Sequence, residues 1–297
     1  DSAYESVTVG TRKEPSADLL GGAEHLCLMY HAHDAKSYDK EALLPYMAYV
    51  DKNANIIDTM FDSFLFLHST GDMPSGGSPY KNSIKSDWEW CIDDLFKAGY
   101  QLDAMEETAG MVKEALGLDD DFKYNVTMTI YYPGEITDFG DVDGDGISED
   151  FTVYANRMKA IKWYVEEIEA RFAAEGFKHI QLVGYYWWHE SINTFDTELK
   201  TMLNEISDYL HDMDRNFFWI PYHCASGFSE CDDYGFDIAC MQPNYVFRSE
   251  TPYSVLKNNE KLTKMYGMGV EMEIDERCLS DKLFFKKYME YITLGAE

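Results

Sequence analysis

The sequence predicts an α/β fold built as a (β/α)8 barrel, and two observations lead to that prediction. Short apolar runs of strand length alternate with helical patterns along the chain, which indicates right-handed βαβ units around a parallel sheet. The glycine-rich phosphate loops of nucleotide-binding folds, GxGxxG and GxxxxGK[ST], follow none of these runs. Seven units with apolar strands therefore fit a TIM-type barrel better than an open doubly wound sheet.

Hydrophobic periodicity sets the order of the elements. Residues 1–24 lack periodicity, so we expect an N-terminal arm there and a single barrel domain over 25–297. Apolar and β-branched runs predict strands at 25–31, 58–67, 124–132, 179–188, 217–224, 236–243 and 269–274. Apolar residues that recur every three or four positions predict helices at 39–50, 84–98, 103–116, 155–175, 198–211, 253–266 and 282–292. The eighth strand that closes such a barrel is not evident in this chain.

The charge balance narrows the classes of partner. The 297 residues include 25 Lys and Arg against 54 Asp and Glu, which gives a formal net charge of −29. Such a surface repels phosphate backbones and anionic lipids, so we expect no nucleic-acid partner. No apolar run approaches the roughly 20 residues that span a bilayer, so we expect no membrane insertion. Aromatic residues make up 15% of the chain, and flat amphipathic rings around a polar cleft suit a carbohydrate partner.

Acidic residues occur at the ends of two predicted strands, where barrel enzymes carry their chemistry. The fourth strand runs into YYWWHE and so places Glu190 at its carboxyl end. The seventh strand reads VEMEID, and its period of two places Glu271, Glu273 and Asp275 on one face. Aligned carboxylates repel one another and lose hydration, so they indicate a catalytic site unless the strand is a solvated acidic face. A carboxylic acid on one strand and a carboxylate on the other form the pair that cleaves glycosidic bonds.

Three motifs together, LCLMYH, YYWWHES and GVEMEID, resemble an uncharacterised bacterial family of glycosidase-like barrels, a domain-of-unknown-function family. That family is similar to the retaining (β/α)8 glycosidases, whose acid/base follows strand four and whose nucleophile lies on strand seven. The resemblance covers nearly the whole chain. It implies a retaining glycoside hydrolase of poly- or oligosaccharides, with Glu190 as acid/base and Glu273, or else Glu271, as nucleophile. The first residues, DSAYES, resemble a mature chain after signal removal, so an extracytoplasmic location is expected.

Polar and aromatic side chains near the predicted strand ends would form the sugar subsites. Each of them is more often a packing residue when it is taken alone, but as a set they are typical of a carbohydrate cleft. The expected substrate-binding residues are His31, His33, His68, Tyr132, Trp187, Trp188, His189, Tyr222, His223, Gln242, Asn244 and Tyr245.

The segment 141–150, DVDGDGISED, has the Asp-x-Asp-x-Asp-Gly pattern of a calcium loop. Several anionic oxygens in so short a span repel one another unless a hard cation lies between them. We therefore expect a structural calcium ion near the cleft rather than a solvated acidic turn. Its expected ligands are Asp141, Asp143, Asp145, the Ile147 carbonyl, Glu149 and Asp150.

Two alternatives to a glycosidase stay open at this point. His31 and His33 form an HxH pair after the first strand, which is the metal-binding opening of amidohydrolase-type barrels. That pattern does not continue, because no lysine ends strand four and no histidine ends strand six. The second alternative is a carbohydrate-binding barrel without catalysis, in which the aromatic wall is kept and the acidic residues lie apart. The oligomeric state is left open.

Overall fold

The helices and strands alternate along the chain, as the hydrophobic periodicity predicts. The computed structural model describes residues 25–32, 37–68, 73–79 and 81–296. The strands are β1 (Leu26–His31), β2 (Ala48–Val50), β3 (Ile56–Thr59), β4 (Ser63–His68), β5 (Tyr124–Ile130), β6 (Ile180–Trp187), β7 (Asn216–Trp219), β8 (Ile238–Met241) and β9 (Gly269–Val270). The helices are α1 (Lys40–Met47), α2 (Lys85–Leu95), α3 (Gln101–Leu116), α4 (Tyr154–Glu175), α5 (Thr197–His211), α6 (Tyr253–Tyr266), α7 (Arg277–Ser280) and α8 (Lys282–Ala296), and a 3₁₀ helix spans Phe228–Tyr234.

One seven-stranded parallel sheet organises the molecule. Its order is β1-β4-β5-β6-β7-β8-β9, so each strand pairs with the next main strand along the chain. Strands β4 and β5 are buried along their whole length, which explains their continuous apolar sequence. All seven strands point the same way, so their carboxyl ends lie along one edge of the sheet.

The prediction of a closed eight-stranded barrel is wrong. Among the described residues no eighth strand exists, and β1 and β9 remain the two edges of an open, half-barrel sheet. The amide of Glu271 still donates to the carbonyl of Met241, but the chain then leaves the sheet and continues into α7 and α8. Alternating strands and helices predict parallel neighbours. Closure requires a further strand that is hydrogen-bonded to both edges, and the pattern of seven units does not supply it.

The second predicted strand, 58–67, is also divided. Its first part joins a small antiparallel sheet of β2 and β3, and its second part is β4 in the main sheet. The turn between β2 and β3 forms because the Asp51 carboxylate accepts hydrogen bonds from the amides of Asn53 at 2.7 Å and Asn55 at 2.9 Å.

Aromatic packing fills the space between the sheet and its helices. Trp88 on α2 is fully buried, and its ring contacts Tyr131, Phe139 and Tyr164 at centroid distances of 5.7, 4.8 and 5.3 Å. A separate small cluster joins the loop after β8 to α6 and α8, and it consists of Tyr245, Val246, Leu256, Phe284, Tyr291 and Leu294. Within the described ranges, no helix is both long and apolar enough to cross a membrane.

Candidate functional site at the carboxyl ends of the strands

A cleft opens at the carboxyl edge of the sheet, in the half that holds the last strands. Its volume is about 530 Å³, and its lining combines one carboxylate, one guanidinium and two aromatic rings with smaller polar groups. Glu190 enters it from the loop after β6, the fourth strand of the sheet, and Tyr222 from the loop after β7. The rest of the lining comes from the loop after β8: Asn244, Phe247, Arg248 and Thr251.

Three carboxyl groups interact at this edge. Burial raises the pKa of Glu271, directly after β9, to about 8, and the negative charges of Glu273 and Glu190 add to the rise. The Oε2 atom of Glu271 is buried and has no hydrogen-bond partner within the described residues. Burial therefore favours the protonated form of Glu271, and the charges of the neighbouring carboxyl groups favour it further.

Glu273 is held more tightly than Glu271. Only 5% of it is exposed, and it accepts hydrogen bonds from the amides of Asn244 at 2.9 Å and Tyr245 at 3.0 Å and from the Tyr291 hydroxyl at 2.7 Å. Burial raises its pKa, although these three donors act in the opposite direction. Asn244 has a φ of +53°, a left-handed conformation that this anchored turn sustains. Glu273 thus fixes the loop after β8.

Two tyrosines lie near the carboxyl groups: Tyr30 on the edge strand β1 and Tyr186 on the central strand β6. Burial raises the pKa of Tyr30 on β1 to about 12, and Glu271, Glu190 and Glu273 raise it further in that order. Burial also raises the pKa of Tyr186 on β6, with smaller contributions from Glu190 and Glu271. The first strand therefore comes close to the acidic groups that follow the last strand, although the two strands are not paired.

Helix α8 supports the loop that forms the cleft wall. The ammonium group of Lys287, a residue that is 2% exposed, donates to the carbonyls of Tyr245 at 2.8 Å, Arg248 at 2.6 Å and Thr251 at 3.1 Å. The Tyr245 hydroxyl in turn donates to Glu290 on the same helix. The loop from 244 to 251 is therefore tied to α8 at several points along its length.

The predicted subsite residues separate into a cleft group and a packing group. Tyr222, which is 40% exposed, and Asn244 line the cleft beside Glu190. The Gln242 side chain instead donates to the carbonyl of Ile220, and His223 lies against Asn258 and Asn259. Four more predicted residues lie near the same strand ends but take part in packing. The rings of Tyr132 and His189 lie 5.1 Å apart, and the Trp188 indole donates to the carbonyl of His68. Tyr245 is only 2% exposed. Trp187 is fully buried in the core.

The histidines of the amidohydrolase alternative are deeply placed. The Nδ1 atom of His31 lies 2.9 Å from Asp94 on α2, and its Nε2 atom is buried without a hydrogen-bond partner among the described residues. His68 pairs with His31 in the sheet register and packs against Trp90 at a ring distance of 5.4 Å. His33 lies outside the described residues. In the described part of the chain, neither His31 nor His68 belongs to a group of three potential metal ligands.

The loop 141–150 folds back on itself and brings three predicted calcium ligands together. Oxygens of Asp141, Asp143 and Glu149 lie within 4.8 Å of one another. Gly144 and Gly146, at φ of +79° and +85°, donate their amides to Asp141, so this turn requires glycine. Asp145 and Asp150 are not in this group of three: Asp145 accepts from the Ile147 amide, and Asp150 accepts from Thr152.

Lys159 on α4 is a further member of this loop cluster. Its ammonium lies 2.6 Å from Asp143 and 2.8 Å from Glu149. The hydrogen bond from Lys159 lowers the pKa of Asp143. The ammonium group of Lys159 therefore balances part of the negative charge that, from the sequence alone, a calcium ion is expected to balance.

Four residues of this region are not among the predicted site residues: Phe247, Arg248 and Thr251 in the cleft lining, and Tyr30 beside the carboxyl groups. The segment from 244 to 251 follows a predicted strand end, which is the signal that would have included them. It has no periodicity of its own, and its position over the cleft depends on contacts with Glu273 and Lys287 that are distant in sequence.

Comparison with known proteins agrees with the family resemblance in its coarse form. A comparison with curated proteins gives no match. A family model described as a domain of unknown function, DUF4855, matches residues 25–296, which is most of the chain. The protein thus belongs to the DUF4855 family.

Proposed function

We propose that the protein is a glycoside hydrolase that acts on a poly- or oligosaccharide through its strand-end carboxyl groups. The observation that carries this proposal is the electrostatic coupling of Glu190, Glu271 and Glu273 at the carboxyl edge, where Glu190 also lines the cleft. Cleavage of a glycosidic bond needs one carboxyl that carries a proton and a second one that is ionised. A cluster of three interacting carboxyls that keeps a proton near neutral pH supplies both forms.

Glu190 and Glu271 are the proposed catalytic pair. Glu190 lines the open cleft, so as acid/base it can protonate the leaving oxygen and later deprotonate a water molecule. Glu271 follows the seventh strand of the sheet, and as nucleophile it would bond to the anomeric carbon while the leaving oxygen takes the proton from Glu190. In this mechanism the proton that burial favours on Glu271 must pass to Glu190 when the substrate binds, so that Glu271 is ionised when it attacks.

Glu273 is proposed as the residue that positions this site. Its two oxygens already accept three hydrogen bonds from the loop after β8 and from α8, so an attack by Glu273 would dismantle the cleft wall. This assigns the nucleophile role to Glu271, the second of the two candidates from the sequence. Tyr222 and Phe247, which are 40% and 53% exposed, offer ring surfaces on which a sugar can stack.

The test is turnover of a glycan library followed by single substitutions. Glu190→Gln and Glu271→Gln are each expected to reduce kcat about 10²- to 10⁴-fold on a substrate that the wild type cleaves. Glu166→Gln, a change of the same kind on α4 whose amide oxygen can still accept from the Tyr209 hydroxyl, is the control and should keep full activity. Azide should restore turnover with Glu271→Ala through an attack on the anomeric carbon. Full activity in both glutamine variants, or binding of glycans without any turnover, would contradict the proposal.

We also propose that the loop 141–150 binds a structural calcium ion. The convergence of Asp141, Asp143 and Glu149 supports this, since carboxylate oxygens at such spacing are the ligands that calcium prefers. Because Lys159 contacts two of these residues, a bound ion would displace its ammonium from the cluster.

Thermal unfolding with added calcium and with a chelator tests this site. Calcium should raise the Tm of the wild type by a few degrees and should have no effect on Asp141→Asn or Asp143→Asn. Lys159→Met should increase the rise, because the competing ammonium is gone. Asp119→Asn, outside the loop, is the control and should respond as the wild type does. A wild-type Tm that is the same in calcium and in chelator would show that Lys159 alone balances this loop.

A further inference from the structure

Arg248 differs from the other arginines of the described chain. Arg157, Arg171, Arg215 and Arg277 each form an ion pair with at least one carboxylate, whereas no carboxylate among the described residues lies within ion-pair distance of Arg248. Acidic residues outnumber basic ones by 54 to 25, so a guanidinium without such a partner is unexpected in this protein. This unpaired guanidinium lines the cleft beside Glu190.

The backbone that carries Arg248 is held from two sides. Its carbonyl accepts a hydrogen bond from Lys287 at 2.6 Å. The guanidinium of Arg277 donates to the carbonyls of Val246 and Phe247, each at 3.4 Å, and is itself paired with Asp275. The main chain is therefore fixed before any ligand arrives, so that little order is lost when the side chain engages one.

Among the described residues, the lining of the cleft gives this guanidinium no ion-pair partner. Tyr222, Asn244 and Thr251 are neutral, and Phe247 offers only a ring. The acidic residue nearest in sequence, Glu250, accepts a hydrogen bond from the Ser249 hydroxyl at 3.1 Å. Hydrogen bonds lower the pKa of Glu250 and the charge of Arg248 adds to this effect, but these two described side chains form no ion pair. A planar guanidinium matches a carboxylate or a sulfate through two parallel hydrogen bonds, so an anionic group on the ligand is the natural partner.

We propose that the cleft takes a glycan with an anionic sugar residue, whose carboxylate or sulfate group is paired with Arg248. This inference rests on the proposed function, because it names the substrate class of the same site. The sugar ring lies against Phe247 or Tyr222, and its anionic group points away from Glu190 toward the loop after β8.

The charge of the whole molecule makes such a cation necessary for an anionic ligand. A net charge of −29 and the ionised carboxyl groups of the strand-end cluster repel an anion that approaches the cleft. Only a short-range contact with a fixed cation offsets that repulsion. Arg248 is the lining residue of the cleft that provides it.

The experiment measures binding by calorimetry, independently of turnover, with the full chain. Three probes of equal length are used: an oligogalacturonate, a sulfated oligogalactan and a neutral oligogalactan. The wild type should bind at least one anionic probe about 10-fold or more tightly than the neutral one. Arg248→Gln should weaken that binding about 10- to 100-fold. Arg171→Gln, which removes the same charge from α4, is the matched control and should bind as the wild type does.

The outcomes separate this inference from the proposed function. Equal or weaker binding of both anionic probes, or a preference that survives in Arg248→Gln, would overturn the role of Arg248. Preference for the sulfated or the carboxylated probe supports it and identifies the anion. A neutral glycan that is hydrolysed while anionic ones are ignored would keep the hydrolase and reject the anionic subsite. Tight binding of an anionic probe with no turnover of any glycan would support the anionic subsite and contradict the hydrolase.

Discussion

Glu271 is the residue at which stability and chemistry oppose each other. The residue is half-buried next to two other acidic groups, and its Oε2 atom is buried without a hydrogen-bond partner among the described residues. A solvated glutamate would avoid this loss of hydration, so the position is unfavourable for folding alone. An unfavourably desolvated carboxyl group at the carboxyl end of a parallel strand is typical of a functional site.

The first prediction concerns the pH dependence of activity. Because burial and its neighbours raise the pKa of Glu271 to about 8, the proton of the cluster is lost above that pH. The kcat/KM of the wild type should therefore fall as the pH rises through about 8.

The variant Glu273→Gln tests the cause of this fall in kcat/KM at alkaline pH, which we call the alkaline limit. The negative charge of Glu273 is one of the groups that raise the pKa of Glu271, so its removal should move the limit to lower pH. A pH–rate profile of both proteins makes the comparison, and a limit that stays in place or moves upward would contradict the coupling.

The second prediction concerns stability at the same residue. A carboxyl whose pKa is higher in the folded state stabilises the fold fully below its unfolded pKa, about 4.3, and loses that contribution as the pH rises through about 8. Glu271→Gln removes the ionisable group. It should therefore raise the free energy of unfolding at pH 9 by about 1–3 kcal/mol and change it less at pH 5.

Chemical denaturation at the two pH values measures this effect. Glu276→Gln, an exposed acidic residue in the same segment, is the control and should change stability by less than about 0.5 kcal/mol at both. A Glu271→Gln protein that is less stable than the wild type at pH 9 would show that its carboxylate is compensated in the folded state.

At the scale of elements, the loop from 244 to 251 and helix α8 form one functional unit. The loop has no regular structure, yet Glu273, Lys287 and Arg277 bind its backbone at six of its eight residues. A loop with so many fixed groups presents Arg248 and Asn244 to the cleft in one arrangement.

The third prediction tests this unit through Lys287. Lys287→Met keeps the apolar stem but leaves three buried or half-buried carbonyls without their donor. The free energy of unfolding should fall by about 2–3 kcal/mol, and the KM for a cleaved glycan should rise.

The adjacent Lys286 provides the matched control. It is exposed and, among the described residues, pairs only with Glu290 on the helix surface, so Lys286→Met should change stability by less than about 0.5 kcal/mol. Equal effects of the two substitutions would mean that the contacts of Lys287 with the loop carry no special weight.

At the scale of the whole molecule, the net charge of −29 acts on every charged ligand before it reaches the cleft. Its field is long-ranged and depends on salt, whereas the contact with Arg248 is short-ranged. The two effects can therefore be separated by ionic strength.

The fourth prediction follows from this separation. When salt is raised from about 0.01 to about 0.15 M, the screening length falls from about 30 to about 8 Å. The association rate of an anionic glycan should rise over this range, because long-range repulsion weakens first, and the rate for a neutral glycan should stay constant. Stopped-flow binding measures both rates. An anionic rate that falls with salt would mean that local attraction dominates the approach.

The sequence by itself determined the α/β class, the order of the elements and their approximate bounds, because these depend on local periodicity. The helix predicted over 253–266 is found at those bounds, while the strand predicted over 269–274 is paired only at Gly269 and Val270. The same local pattern predicted Glu190 at a strand end and Glu271 on the seventh strand, and in the structure Glu271 directly follows β9.

Only the tertiary structure decided whether the sheet closes, which carboxyl is buried, and which residues form the cleft wall. Those outcomes depend on contacts between segments far apart in the chain, such as Glu273 with the loop after β8 and Lys287 with the same loop. The sequence of an edge strand does not show whether another strand will pair with it, and the sequence around an arginine does not show whether a carboxylate will lie beside it. The physical reason is that pairing and desolvation are properties of neighbours in space, and periodicity reports only neighbours in sequence.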